Sequence, residues 1–272
     1  MKRKTLIEKV LEKGTAVEPR TGKLPNALAR LAKIPLITVA HPWFRADKTD
    51  MRWLPINENI QAQESAVTPL VLLDRLIEEA SHRVVFDACG CRTAFHCENH
   101  PLDIGCLMMG DSALEAPRSI CHEVSVSEAK EHAARAVEAG LVPMVGKARV
   151  DNFIFGIKDR SHLLTCCFCC HCCCISRLER HFRPGLLNRM FPHLDGFRIE
   201  VGPGCDGCGD CVERCYMRAI EIKDGVAVIS EKCRACGRCA SACPPRAIKV
   251  SIDNDDFVDL AYQRIREYVK YD

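Results

Sequence analysis

Eight cysteines carry the clearest chemistry in this 272-residue chain. Cys205, Cys208, Cys211 and Cys215 are separated by two, two and three residues. Cys233, Cys236, Cys239 and Cys243 repeat the run 28 residues later and close on Pro244. Four thiolates at these gaps can wrap an iron–sulphur cubane, three from a tight loop and one from the helix that follows. Two copies imply two clusters close together, and adjacent clusters imply electrons moving between them. Gly209, Ala219 and Ile220 recur at the same offset as Gly237, Ala247 and Ile248. Each half therefore reads as cluster loop, short helix and strand, the strands falling at 220–222 and 248–250. Zinc-binding CxxC pairs would suit the individual gaps, but the two-two-three run with its proline is the cubane pattern.

On these residues, the stretch from about 198 to 252 resembles a bacterial-type two-cluster ferredoxin. In that family the fourth cysteine of each run ligates the other cluster. The resemblance thus implies one [4Fe-4S] cluster on Cys205, Cys208, Cys211 and Cys243, and a second on Cys233, Cys236, Cys239 and Cys215. Tyr216 departs from the family, which usually has proline after the first run. That change re-tunes or loosens one cluster without removing a ligand.

Twelve further cysteines lie upstream. Cys89 and Cys91 are expected at a strand end, where residues i and i+2 face the same side. Cys97 and Cys106 could close a site on them from the following loop, making one ligand set of the four. A denser run holds Cys166, Cys167, Cys169, Cys170, Cys172, Cys173 and Cys174, interrupted by Phe168 and His171. Neighbouring cysteines point to different sides, so this run suits two centres, or one larger or non-cubane centre, better than a single cubane. Free thiols at such density would be an oxidation hazard, which argues that metal occupies them.

From about 69 to 250 the chain resembles dicluster ferredoxin-like proteins of anaerobic bacteria and archaea. Those proteins pair a CxCR…C…CL segment with a CxCCxCCC segment ahead of a two-cluster module. The matching residues are Cys89-x-Cys91-Arg92, Cys97, Cys106-Leu107 and Cys167-x-Cys169-Cys170-x-Cys172-Cys173-Cys174. The resemblance implies one or two additional iron–sulphur centres in an electron-transfer setting, and it names no substrate.

Weaker signals are set aside. Gly202-x-Gly204-x2-Gly207 spells a dinucleotide fingerprint, but it lies inside the cluster loop with no βαβ unit around it. The stretch 140–148 has no Ser or Thr after Lys147, so it is not a phosphate loop. His171 reads as a solvated or hydrogen-bonding histidine before it reads as a ligand. Cys121 reads as a buried thiol. Arg92 is expected to donate to cluster sulphide or to a carboxylate.

The elements that must position these thiols point to an α+β fold. An extended, proline- and aromatic-containing arm over 1–60 precedes a mixed α/β cysteine-rich unit over 61–195. A pseudo-twofold ferredoxin-like domain over 196–252 and a C-terminal helix over 253–272 follow. The arm carries helical patches at 5–13 and 24–33 and both tryptophans, Trp43 and Trp53. A helix is expected at 69–80, with Leu70, Leu73, Leu76, Ile77 and Ala80 on one face. Strands are expected at 83–88, 141–145 and 150–157. Ser125 and Glu128 form a capping box for a helix ending at Gly140, and 256–268 is a final helix.

Lys and Arg number 38 against 36 Asp and Glu, a formal charge of +2. Two oxidised cubanes on four thiolates each would shift that to about −2, so nothing favours a nucleic-acid partner. No apolar run is long enough to span a bilayer. Residues 1–14 are charged and read as an amphipathic helix rather than a signal peptide. Bunched cysteines argue against a disulfide scaffold and for a reducing cytoplasm, in an anaerobe. The chain thus reads as an electron-transfer protein or oxidoreductase subunit, passing low-potential electrons to or from a partner redox enzyme or complex. The alternative is a reductase or reductive activator whose centre at 166–174 with 89–106 reduces a substrate such as a disulfide. Surplus cysteines favour the alternative, while the lack of a flavin, nucleotide or corrinoid motif favours the carrier.

Overall fold

Short strands with apolar residues on both sides build one antiparallel sheet with a core against each face. The computed structural model describes residues 5, 8, 49–55, 69–148, 151, 154–194, 196–252 and 256–271. Its elements run β1 (Asp50–Trp53), α1 (Pro69–Glu79), β2 (Arg83–Phe86), α2 (Gly90–Ala94), β3 (Leu107–Met109), β4 (Cys121–Glu123) and α3 (Val126–Glu138). Then come β5 (Val142–Lys147), β6 (Leu164–Cys169), α4 (Pro184–Met190) and β7 (Phe197–Val201). The chain continues through α5 (Asp210–Arg214), β8 (Ile220–Lys223), β9 (Val226–Ile229), α6 (Arg238–Ser241), β10 (Ile248–Ile252) and α7 (Phe257–Tyr268). The fold is mixed α+β, as expected.

The main sheet has the order β1-β5-β6-β3-β2-β4, with every neighbouring pair antiparallel. Successive side chains alternate between faces. Val85, Leu107 and Met109 therefore join one core, and Val84, Phe86 and Met108 join the other. The first core is covered by α1 and α3. Leu72, Leu73, Leu76 and Ile77 of α1 are fully buried, each stabilising by about 1.5–3 kcal/mol. The second core is closed by Phe155, Ile157 and Leu163, with the Phe155 ring 4.8 Å from that of Phe86. Helix α7 packs on α1, where Arg75 lies over the Tyr262 ring at 3.8 Å.

Three expectations meet different fates. The segment 150–157 is no strand among its described residues: Asp151, Ile154 and Phe155 are helical. Phe155 and Ile157 are buried in the second core instead. Asp50–Trp53, part of the arm, is an edge strand paired with β5, and Trp53 is buried. The patches at 5–13 and 24–33, apart from Thr5 and Glu8, and Trp43 lie outside the described residues.

The Ser125 cap forms as expected. Its Oγ accepts from Glu128 N, while the Glu128 carboxylate accepts from Ser125 N at 2.8 Å. Ser125→Ala should lower stability by about 1 kcal/mol, read as a drop of a few degrees in the thermal midpoint. An unchanged midpoint would show that the cap contributes nothing.

Candidate metal centres

The 28-residue repeat is written into the backbone of the ferredoxin-like segment. Gly209 and Gly237 open α5 and α6 in the left-handed region, at φ 88° and 80°. Arg218 and Arg246 match likewise, at 51° and 52°. At Gly207 a Cβ would fall 2.5 Å from the Gly225 carbonyl oxygen, so only glycine lets the loop approach that turn.

Cys205, Cys208 and Cys211 of the first run line one small cavity together with Cys243 of the second. On the inner side, burial first, then the neighbouring thiols Cys233 and Cys215, push Cys236 up to about 12. Cys239 is raised in the same way by burial and by Cys236, Cys233 and Cys215. Cys215 thus keeps company with the second run. Backbone amides of Ala227, Ala219 and Ala235 point at the sulphurs of Cys205, Cys215 and Cys233, at 3.4, 3.2 and 3.4 Å. The outer quartet ringing a cavity, with left-handed turns and amide donors to sulphur in both runs, fits a cubane.

A family model described as a 4Fe-4S dicluster domain matches residues 204–247. That dicluster segment is an iron–sulphur, ferredoxin-type unit. No curated protein and no solved structure matches the chain. Among the described residues, no helix is long and apolar enough to cross a membrane.

Upstream, the cysteines fall into groups that differ from the expected set. Cys89 is not at a strand end but at the N-cap of α2, with Cys91 in its first turn. A hydrogen bond from Cys91 and the Arg92 charge outweigh burial and bring Cys89 down to about 7. Its neighbours Cys174 and Cys89, with burial, push the Cys91 thiol well up. The sulphurs of Cys174 and Cys169 are 3.3 Å apart, and Ser176 Oγ donates to Cys174 at 3.1 Å. One group is therefore Cys89, Cys91, Cys169 and Cys174. A second is Cys97, Cys170, Cys172 and Cys173, whose sulphurs all lie within 4.8 Å of one another.

Cys106 joins neither group. It precedes β3, and the register that pairs Leu107 with Cys166 sets Cys106 opposite Cys167, with the two sulphurs 3.7 Å apart. Cys166 is fully buried in the core, and burial pushes its thiol up. Cys121 is also buried, donates to Pro117 O at 3.1 Å and is pushed up to about 11 by burial.

Arg92 serves differently from expectation. Its buried guanidinium donates to the carbonyls of Pro101, Phe168 and Ile104, tying α2 and the loop after it to β6. None of these bonds goes to a carboxylate. The groups that feel its charge are Cys89, Cys170, Cys106 and Cys169. Buried charges are paired in stable folds, and Cys89, whose thiol is brought down, is the sulphur among them set to pair with it.

The dicluster segment is pressed against these upstream sulphurs. Tyr216, directly after Cys215, is buried with its hydroxyl on Ser176 Oγ, and its ring lies 4.4 Å from Trp53. Trp53 Nε1 donates to the buried Glu179 at 3.3 Å, and burial holds that carboxyl well above the usual range. Arg238 in the second cluster loop donates to Gly140 O and to His171 Nδ1. Arg234 donates to Phe191 O at 2.8 Å and Asn188 Oδ1 at 2.7 Å. The tyrosine that replaces the family's proline is thus the residue that reaches Ser176 beside Cys169 and Cys174. Nothing in the sequence signalled that contact, because Ser176 lies 40 residues away.

Proposed function

We propose that the protein is an iron–sulphur electron carrier or redox subunit, serving a partner redox enzyme in a reducing compartment of an anaerobe. The observation that carries this reading is the interleaving of two cysteine runs into an outer quartet that includes the exposed Cys208 and an inner one that abuts further sulphurs. Cys205, Cys208, Cys211 and Cys243 are assigned to one [4Fe-4S] cluster, and Cys233, Cys236, Cys239 and Cys215 to a second. Cys89, Cys91, Cys169 and Cys174 are assigned to an additional iron–sulphur centre. Such clusters, when bound, take up and release single electrons.

The chain's own residues order the sites. Cys208 is exposed, flanked by the exposed acids Asp206, Asp210 and Glu213, and the apolar Ile222, Val226 and Val228 are exposed on the neighbouring hairpin. That face suits docking of a redox protein with a basic rim, since complementary charge speeds encounter. Cys215 carries the inner quartet to Tyr216, and Tyr216 reaches Ser176 between Cys169 and Cys174. Burial of Cys89, Cys169 and Cys174 keeps bulky substrates away, which favours the carrier over a disulfide reductase.

The test is iron and sulphide quantitation on the anaerobically purified chain, with low-temperature EPR after reduction. Iron above the about eight atoms of two cubanes, with a broadened, spin-coupled signal, supports the reading. Zinc in place of iron, or one uncoupled signal, ends it.

A further inference from the structure

The quartet of Cys97, Cys170, Cys172 and Cys173 is built on a different scale from a cluster site. Its four sulphurs close on one another within 4.8 Å, and Cys97 and Cys172 stand 3.6 Å apart. Four sulphurs at about 2.3 Å around a single tetrahedral ion are separated by about 3.8 Å. A cubane seats each cysteine on a separate iron, which holds the sulphurs farther apart. We propose that Cys97, Cys170, Cys172 and Cys173 bind one divalent ion, zinc or ferrous iron, as a tetrathiolate separate from the clusters. This assignment replaces the iron–sulphur role expected of those four residues.

Three further observations support the site. The Cys173 amide donates to the Cys170 sulphur at 3.4 Å. That turn thus folds back on its leading sulphur, and Cys170-x2-Cys173 has the spacing of tetrahedral thiolate sites. His100 donates from Nδ1 to Ala139 O at 3.1 Å, and its buried Nε2 has no hydrogen-bond partner among the described residues. A ring nitrogen of His100 lies within 4.8 Å of the Cys172 sulphur. A buried ring nitrogen left without a partner beside the quartet points to an ion at that position. Finally, four thiolates around a divalent ion leave two negative charges in excess. Arg177 donates to Cys172 O at 2.6 Å, Arg92 feels the charge of Cys170, and Arg238 that of Cys170 and Cys172. Those cations offset an anionic site.

The test compares zinc plus iron per chain in the anaerobically purified wild type and in a Cys172→Ser/Cys173→Ser variant. Loss of one ion, zinc or iron, with the EPR signal of the dicluster segment unchanged, is the expected result. Loss of about four irons means a cubane, and either that or an unchanged metal content overturns the proposal. Should the variant not fold, the wild type decides. Zinc-edge X-ray absorption or iron Mössbauer spectroscopy should find an ion with four sulphurs at about 2.3 Å and no metal neighbour. Absence of such an ion refutes the site.

Discussion

Cys215→Ser is expected to empty the inner sulphur set and spare the outer one. Cys215 closes α5, which carries the chain away from the loop of Cys205, Cys208 and Cys211. Its neighbours are Cys233, Cys236 and Cys239, and the outer cavity takes Cys243 instead. Serine is a poor ligand to iron, so the inner cluster should lose its anchor and the chain about four irons. The remaining cluster should then give a sharp EPR signal, because its magnetic partner is gone. Retention of all the iron, or loss of the cluster on Cys205, Cys208 and Cys211, would mean that each run ligates itself.

Changing Cys89 and Cys91 together to serine should remove a comparable amount, about four irons, while the signal of the dicluster segment persists. The structure sharpens this expectation. Cys169→Ser with Cys174→Ser should reproduce the loss, since those sulphurs share the group. Cys106→Ser should not, because Cys106 meets only Cys167 at 3.7 Å among the described cysteine contacts. Iron lost on Cys106→Ser but kept on Cys169→Ser/Cys174→Ser would restore the grouping of Cys89, Cys91, Cys97 and Cys106.

What could be read from the chain followed locality. The dicluster repeat, the Ser125 cap and helix α1 depend on residues a few positions apart, and each is present. The β8–β9 hairpin went unread, although its signal is local. Asp224 and Gly225 sit between its strands with φ 50° and 77°, the backbone that an Asp-Gly turn favours. The upstream sulphur groups were not readable. They depend on β3 pairing with β6, on the turn after Cys169 and on Arg92 reaching three separate carbonyls. None of these leaves a mark in residue spacing. The CxC pair misled for a related reason: the chain turns into α2 at Cys89, a choice made by tertiary packing rather than by the residues alone.

The distances along the chain between paired sulphurs bear on how such a protein is made. Cys97 meets Cys172 across 75 residues, and Cys106 meets Cys167 across 61. During synthesis the thiols of 89–106 therefore leave the ribosome well before their partners. They come into register only once β6 has been added beside β3. Until then half-built sites present reactive sulphur with nothing to hold. On the assignments proposed above, metal loading of the upstream sites waits for the sheet to close, which makes metal delivery a late step and leaves the nascent chain to be shielded from oxidants in the interval.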